Sequence, residues 1–268
     1  MTVSTLHDAP AATTGAVVPL LSVRNLRREF GGVVAVDDAS FDVLPGTITS
    51  LIGPNGAGKS TAVGIIGGGI RPTKGTVQFA GEDLTGLPPY ARAERGLIRT
   101  FQLSSQFSKL TVLENLLAAA PHQRGEQFRV LVFGKRLWRE EQDRLLERAY
   151  ELLVRFSMFE MRDEYAGNLS GGQKRLVEIM RALMANPKMV LLDEPMAGVN
   201  PTLARAIEGY LLDLAAEGVT LLLVEHELDV VERLSDNVVV MAQGRTIATG
   251  SMTELRENEE VVRAYLEG

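Results

Sequence analysis

From Leu20 onward the chain alternates between two kinds of apolar pattern. One is a short run of β-branched and apolar residues bounded by turn formers. "LLSVRNL", "GVVAVDDASFDV", "TITSLIG" and "GTVQFAG" are of this kind early in the chain, and "KMVLLDEP", "VTLLLVEHE" and "NVVVMAQGRTIATG" late in it. Such runs predict strands, the last folded into a hairpin about Gln243-Gly244. The other pattern has helical period. "STAVGIIGGGI" predicts a short helix stopped by Gly67 to Gly69, and "LTVLENLLAAA" opens with Thr111 and Glu114 in capping-box spacing. "REEQDRLLERAYELLVRF" is a charged amphipathic helix, and "SGGQKRLVEIMRALMANP" is a capped helix closed by Pro187. "NPTLARAIEGYLLDLAAEG" takes Asn200 as cap, Pro201 at its first position and Gly218 as its stop, and "MTELRENEEVVRAYLEG" is helical again. Apolar strands alternating with helices predict a mostly parallel sheet covered on both faces. Between Pro88 and about Asn168 the pattern turns helical. The expected organisation is a tail over 1–19 and one α/β domain over 20–268, with a helical subdomain inserted at about 88–168.

Composition narrows the function. The chain has 268 residues, 45% of them hydrophobic, enough for one large domain with a subdomain. A formal net charge of -6 argues against a nucleic-acid partner, which draws on basic excess. There are no cysteines, and His7, His122 and His226 are far apart, so thiolate or His-rich metal sites are not expected. No segment reaches the roughly 20 consecutive apolar residues of a spanning helix, and the first residues lack the basic start and apolar core of a secretory signal. A cytoplasmic protein is expected, with any membrane role supplied through a partner.

The chemistry starts at "GPNGAGKST", Gly53 to Thr61. Gly53-x-x-x-x-Gly58-Lys59-Ser60 between a predicted strand and a predicted helix matches the P-loop pattern. Glycines let successive N–H groups point inward as an anion nest, and the helix N-terminus adds its positive end. Lys59 would contact phosphate oxygens, and the Ser60 hydroxyl would ligate Mg²⁺. A Gly-rich turn with an exposed lysine is the plainer alternative, and the strand–helix context weighs against it. Asp193, at the end of "KMVLLD", is placed to hold Mg²⁺, and Glu194 to polarise the attacking water.

"LSGGQKR", Leu169 to Arg175, decides between nucleotide hydrolases. Here the chain resembles the ATP-binding-cassette (ABC) ATPases, whose signature reads LSGGQ, and the resemblance runs from Leu20 to near the end. It implies an ABC-type P-loop NTPase core with a mostly parallel sheet, an antiparallel β N-terminal subdomain and an inserted helical subdomain. It implies that Gly53, Pro54, Asn55, Gly56, Ala57, Gly58, Lys59, Ser60 and Thr61 bind ATP. Ser170, Gly171, Gly172 and Gln173 would face the γ-phosphate of ATP held by a second ABC ATPase, the same chain or a sister, in a head-to-tail dimer. Gln102 in "RTFQ" matches the glutamine that senses Mg²⁺ and water, His226 the switch histidine, and Phe30 an aromatic that stacks on adenine. Integral membrane permease subunits would be the further partners.

Asn200 stands where the family most often carries aspartate. That departure, with "FGGVVAV", "VEHELDVV" and "ENEEVVRAYLEG", is similar to the group serving branched-chain amino-acid importers. A lipopolysaccharide or lipid exporter and a soluble ATPase of iron–sulfur cluster assembly are the alternatives. Arg124 to Arg144, with five arginines and Trp138, reads as a packed loop of the helical subdomain, or else as a surface for a membrane partner or lipid headgroups.

Overall fold

A computed structural model describes residues 17–100, 107–121 and 135–266. Ten strands form one sheet in the order β5-β4-β1-β2-β10-β9-β3-β8-β7-β6. β1 (Leu21–Phe30), β2 (Val33–Val43), β4 (Lys74–Phe79) and β5 (Glu82–Asp83) pair antiparallel at one side. β3 (Ile48–Ile52), β6 (Leu97–Arg99), β7 (Met189–Asp193), β8 (Thr220–Val224) and β9 (Asn237–Ala242) form a parallel block. β10 (Arg245–Gly250) joins the two, antiparallel to β9 and parallel to β2. Its turn from β9 carries Gln243 at φ 49° and Gly244 at φ 80°, the left-handed pair that a tight hairpin demands.

The helices are α1 (Lys59–Ile66), α2 (Pro89–Ala93), α3 (Val112–Ala118), α4 (Lys135–Arg155), α5 (Gly171–Leu183), α6 (Pro201–Ala216), α7 (Leu228–Leu234), α8 (Met252–Arg256) and α9 (Glu259–Leu266). Local sequence explains several starts. Thr111 with Glu114 and Ser170 with Gln173 both form the reciprocal capping box, and Asn200 accepts from Leu203 N–H ahead of Pro201.

The parallel strands are buried on both faces, so period two divides their side chains between two cores. Val190, Leu192, Leu221 and Leu223 pack with α3 to α6, whereas Leu191, Leu222 and Val224 pack with α1 and the antiparallel strands. A third cluster, Ile52, Val231, Val238 and Val240, lies under α7 to α9.

Two sequence expectations change. β6 falls inside the interval read as helical and pairs in register with β7, Leu97 opposite Met189. Three residues are too few to show alternation, so only the neighbouring strand reveals this one. Within Arg124 to Arg144, read as a loop, the helix expected from Arg139 already begins at Lys135, and the earlier part lies outside the described residues. Among the described residues no helix is long and apolar enough to cross a membrane.

Candidate functional site

β3 ends at Ile52 and α1 begins at Lys59, so Gly53 to Gly58 form the strand-to-helix loop. Glycine is required at both ends of it. A Cβ on Gly53 would lie 2.0 Å from the Met241 carbonyl oxygen, and one on Gly58 2.4 Å from that of Ala35. Between them Gly56, at φ 79°, would meet nothing within 4 Å, so the middle of the loop is a bare, open cradle. Gly58 caps α1 without any side-chain bond, and the first turn carries no acidic residue. The first N–H groups of α1 are thereby left for a ligand, as an anion site needs.

Lys59 is 5% exposed, and its ammonium donates to the carbonyls of Gly53 (2.8 Å) and Pro54 (3.0 Å). Burial lowers its pKa, while the charges of Glu194 and Asp193 oppose the fall. The lysine is thus held inside the loop and faces the acids that close β7. Ser60 is exposed beside it, and Thr61 follows half-buried.

Asp193 closes β7 and lies opposite Val224 of β8. Its carboxylate accepts from the Arg99 guanidinium at 3.3 Å, so a cation already sits against it. Ser60 hydroxyl and Asp193 carboxylate are hard oxygen donors at the same sheet edge, a chemistry that suits Mg²⁺. Glu194 takes φ 48°, left-handed backbone that costs a non-glycine residue roughly 1 kcal/mol or more. Its carboxylate Oε1 lies 2.8 Å from Nε2 of His226, which stands in the loop after β8. Both side chains are partly exposed and open toward solvent. β3, β8 and β7 are adjacent parallel strands, so Lys59, Asp193, Glu194 and His226 converge at their carboxyl ends, where parallel sheets gather ligands.

Other sequence candidates lie apart from this cluster. Gln102 falls outside the described residues. Ser170 to Gln173 open α5, and no hydrogen bond joins them to the P-loop among the described residues. Ser170 accepts from Gln173 N–H, and Ser170 N–H donates to Gln173 Oε1 at 2.9 Å. Gly172 is buried where a Cβ would meet Leu203 Cδ2 at 2.3 Å, so glycine lets α6 approach, while Gly171 faces open space. Phe30 is 43% exposed at the end of β1 with the Arg28 guanidinium 4.3 Å above its ring. It is a surface aromatic rather than core.

Three residues at the site escaped the sequence reading. Arg99 gives no motif signal. For Tyr265 of α9, burial raises the pKa and the Gly53 N–H opposes the rise. Glu225 sits just before His226 and is 4% exposed. An acid ending a strand of five buried residues was the one available clue to it.

A family model described as "ABC transporter" matches residues 36–197. The probable branched-chain amino acid transport ATP-binding protein LivG of Archaeoglobus fulgidus is 40% identical over 247 residues, covering 92% of this chain and 95% of its own. The high-affinity branched-chain amino acid transport ATP-binding protein LivG of Escherichia coli is 39% identical over 253 residues, covering 92% and 98%. A crystal structure of the ADP conformation of an ATP-binding cassette of an ABC transporter superposes with TM-score 0.81 at 38% identity, covering 94% of this chain and all of that one.

Proposed function

The chain belongs to the ABC transporter family as an ATP-hydrolysing subunit, and on that premise we propose that it powers import of branched-chain amino acids or similar small polar solutes. The solute class follows the proteins it is most similar to; the mechanism follows from the site. One observation carries the reading: Lys59, Asp193, Glu194 and His226 meet at the carboxyl ends of three adjacent strands, beside a cradle without side chains.

Phosphoryl transfer to water needs positioning and charge neutralisation more than covalent chemistry. The P-loop amides and the Lys59 ammonium offset the charge of the ATP phosphates. Glu194 orients the attacking water and takes its proton as the bond from the γ-phosphorus to ADP breaks. His226, with its Nε2 2.8 Å from that carboxylate, holds it at the reacting phosphate. Ser60, Asp193 and Gln102 would hold Mg²⁺, which when bound supplies further positive charge to the phosphates. Phe30 offers an exposed face to adenine.

Ser170 to Gln173 lie apart from the P-loop of their own chain, and this separation supports a head-to-tail dimer in which they act on ATP of a second ABC ATPase. The permease would dock in a groove of about 650 Å³ lined by Tyr90, Arg95, Ala119, Pro121 and Lys188, on the inner face of the cell membrane. Tyr90 is 71% exposed there, and the groove adjoins β6, which leads to Gln102. The segment at about 88–168, which contains β6 and α2 to α4, would carry motion between the two.

Glu194→Gln tests the site. Because glutamine keeps the shape but cannot take a proton, ATP binding should persist while turnover falls roughly 100-fold or more. Wild-type rates would remove Glu194 from the role. Co-purification from detergent-solubilised membranes should bring a polytopic permease, and soluble partners alone would overturn the transport reading.

A further inference from the structure

Arg99 is the last residue of β6, and the fold builds a passage for its side chain. The stem lies against the end of α1 at Gly67, where a Cβ would sit 2.8 Å from Arg99 Cδ and 3.3 Å from its Cβ. One turn earlier, a Cβ on Gly64 would stand 3.6 Å from Arg99 Nη1. Gly67 has an ordinary helical φ of -76°, so glycine serves there for the space it leaves and not for the backbone. From this slot the guanidinium reaches the end of β7, where Nη2 donates to Asp193 Oδ2 at 3.3 Å. The two side chains are 19% and 25% exposed, so the pair is largely shielded from solvent.

The charges around the pair give this arrangement its meaning. Asp193 and Glu194 close β7, and Lys59 of α1 lies near enough to interact with both. Lys59 and Arg99 against Asp193 and Glu194 form a group of four with no formal net charge. The two ligands expected at this edge are of opposite sign, since carboxylates draw a divalent cation and cations draw phosphates. Two carboxylates opposed by Lys59 alone would make an acidic edge that favours the metal by itself and repels the nucleotide. A guanidinium stays charged at any working pH, so Arg99 removes that excess permanently.

We propose that Arg99 sets the charge of the nucleotide site: held against Asp193, it offsets one carboxylate, so that the site takes a polyanionic nucleotide with its metal rather than a divalent cation by itself. This rests on the reading of Asp193 as a metal ligand given above. Arg99 acts through Asp193 and through its field at the loop, as a positioning residue and not a catalytic one. Removing its charge should therefore move the two affinities in opposite directions, whereas a merely structural loss would weaken both.

The test compares Arg99→Met, Arg99→Lys, Gly67→Ala and Asp193→Asn with wild type in the full chain, without turnover. Binding of Mn²⁺ alone is read by electron paramagnetic resonance, and binding of ATP in EDTA by displacement of a fluorescent nucleotide. Arg99→Met keeps an apolar stem in the slot and should bind Mn²⁺ about 3- to 10-fold more tightly and ATP about 3- to 10-fold more weakly. That is the order expected when one unit charge is removed beside a divalent ion or a polyanion in a site open to water. Arg99→Lys keeps the charge and should hold both affinities within about threefold of wild type. If Arg99→Met does not fold, Gly67→Ala answers the same question. Its methyl enters the slot and pushes the guanidinium from Asp193, and it should shift both affinities in the same two directions. Weakening of both ligands, no change in either, or a failure of lysine to rescue would each overturn the proposal. Asp193→Asn should lose Mn²⁺ binding. Should it do so while Arg99→Met matches wild type, this inference alone falls; Mn²⁺ bound undiminished by Asp193→Asn sinks the reading of the metal ligand beneath it.

Discussion

Glu225→Gln makes a thermodynamic prediction with a definite sign. The carboxyl would titrate at 4.5 in the open chain, and burial raises it to about 7, helped by the charges of Glu227 and Glu194 and opposed by the N–H groups of His226 and Met196. Between those two pH values the folded protein holds a proton that the unfolded chain has released. The free energy of unfolding therefore falls as pH rises through that window. Below about pH 4.5 the group is neutral in both states and costs nothing; above about 7 it is charged in both, and the full penalty applies. At 1.36 kcal/mol per unit, the gap from 4.5 to about 7 corresponds to an upper value on the order of 3 kcal/mol. Relaxation around the charge reduces this, so about 1–3 kcal/mol is expected. Glutamine is neutral throughout and escapes the penalty. Urea unfolding of wild type and variant at pH 5 and pH 8, with nucleotide absent, isolates the effect, because other titrating groups cancel in the difference. The variant should gain little at pH 5 and about 1–3 kcal/mol at pH 8. A gain independent of pH, or larger at pH 5, would refute a carboxyl held proton-rich by burial.

Two further predictions concern the loop and its helix. Lys59→Ala removes the buried ammonium of the cradle, and with it charge-assisted bonds worth roughly 2–3 kcal/mol, so ATP affinity should fall roughly 30- to 150-fold in a filter-binding assay. Unchanged affinity would contradict a phosphate role. Arg92, 1% exposed and lowered by burial to a pKa of about 10, donates to the carbonyls of Ile65, Ile66, Leu84 and Leu87 and so closes the C-terminus of α1. Ile65 and Leu84 also accept from the N–H groups of Gly68 and Leu87, whereas Arg92 alone serves Ile66 and Leu87 among the described residues. Arg92→Met should cost about 2–4 kcal/mol in urea unfolding, from two buried acceptors left bare and a lost charge at a helix C-terminus. A cost below 1 kcal/mol would dismiss that accounting.

Much of this was legible in the chain because its causes are local. A capping box is a three-residue relation, so Thr111 with Glu114 and Ser170 with Gln173 could be read directly. The Gln243-Gly244 turn and the Asn200-Pro201 start are equally local. The P-loop was legible for a related reason: bare backbone between a strand and a helix is itself the binding group. Arg92 gave no such signal, since its carbonyl partners at Ile65 and Ile66 lie 27 and 26 residues earlier.

By itself, then, the order of residues determined the longer elements, their caps and the type of chemistry, since each depends on neighbours within a turn or a strand. Only the folded sheet decided that β6 exists at its edge, that Arg99 meets Asp193 across 94 residues, and that Glu225 is turned inward. Those outcomes depend on which strands lie side by side. Strand order is chosen by burying both faces of the parallel block at once, a condition that no single stretch of the chain can satisfy.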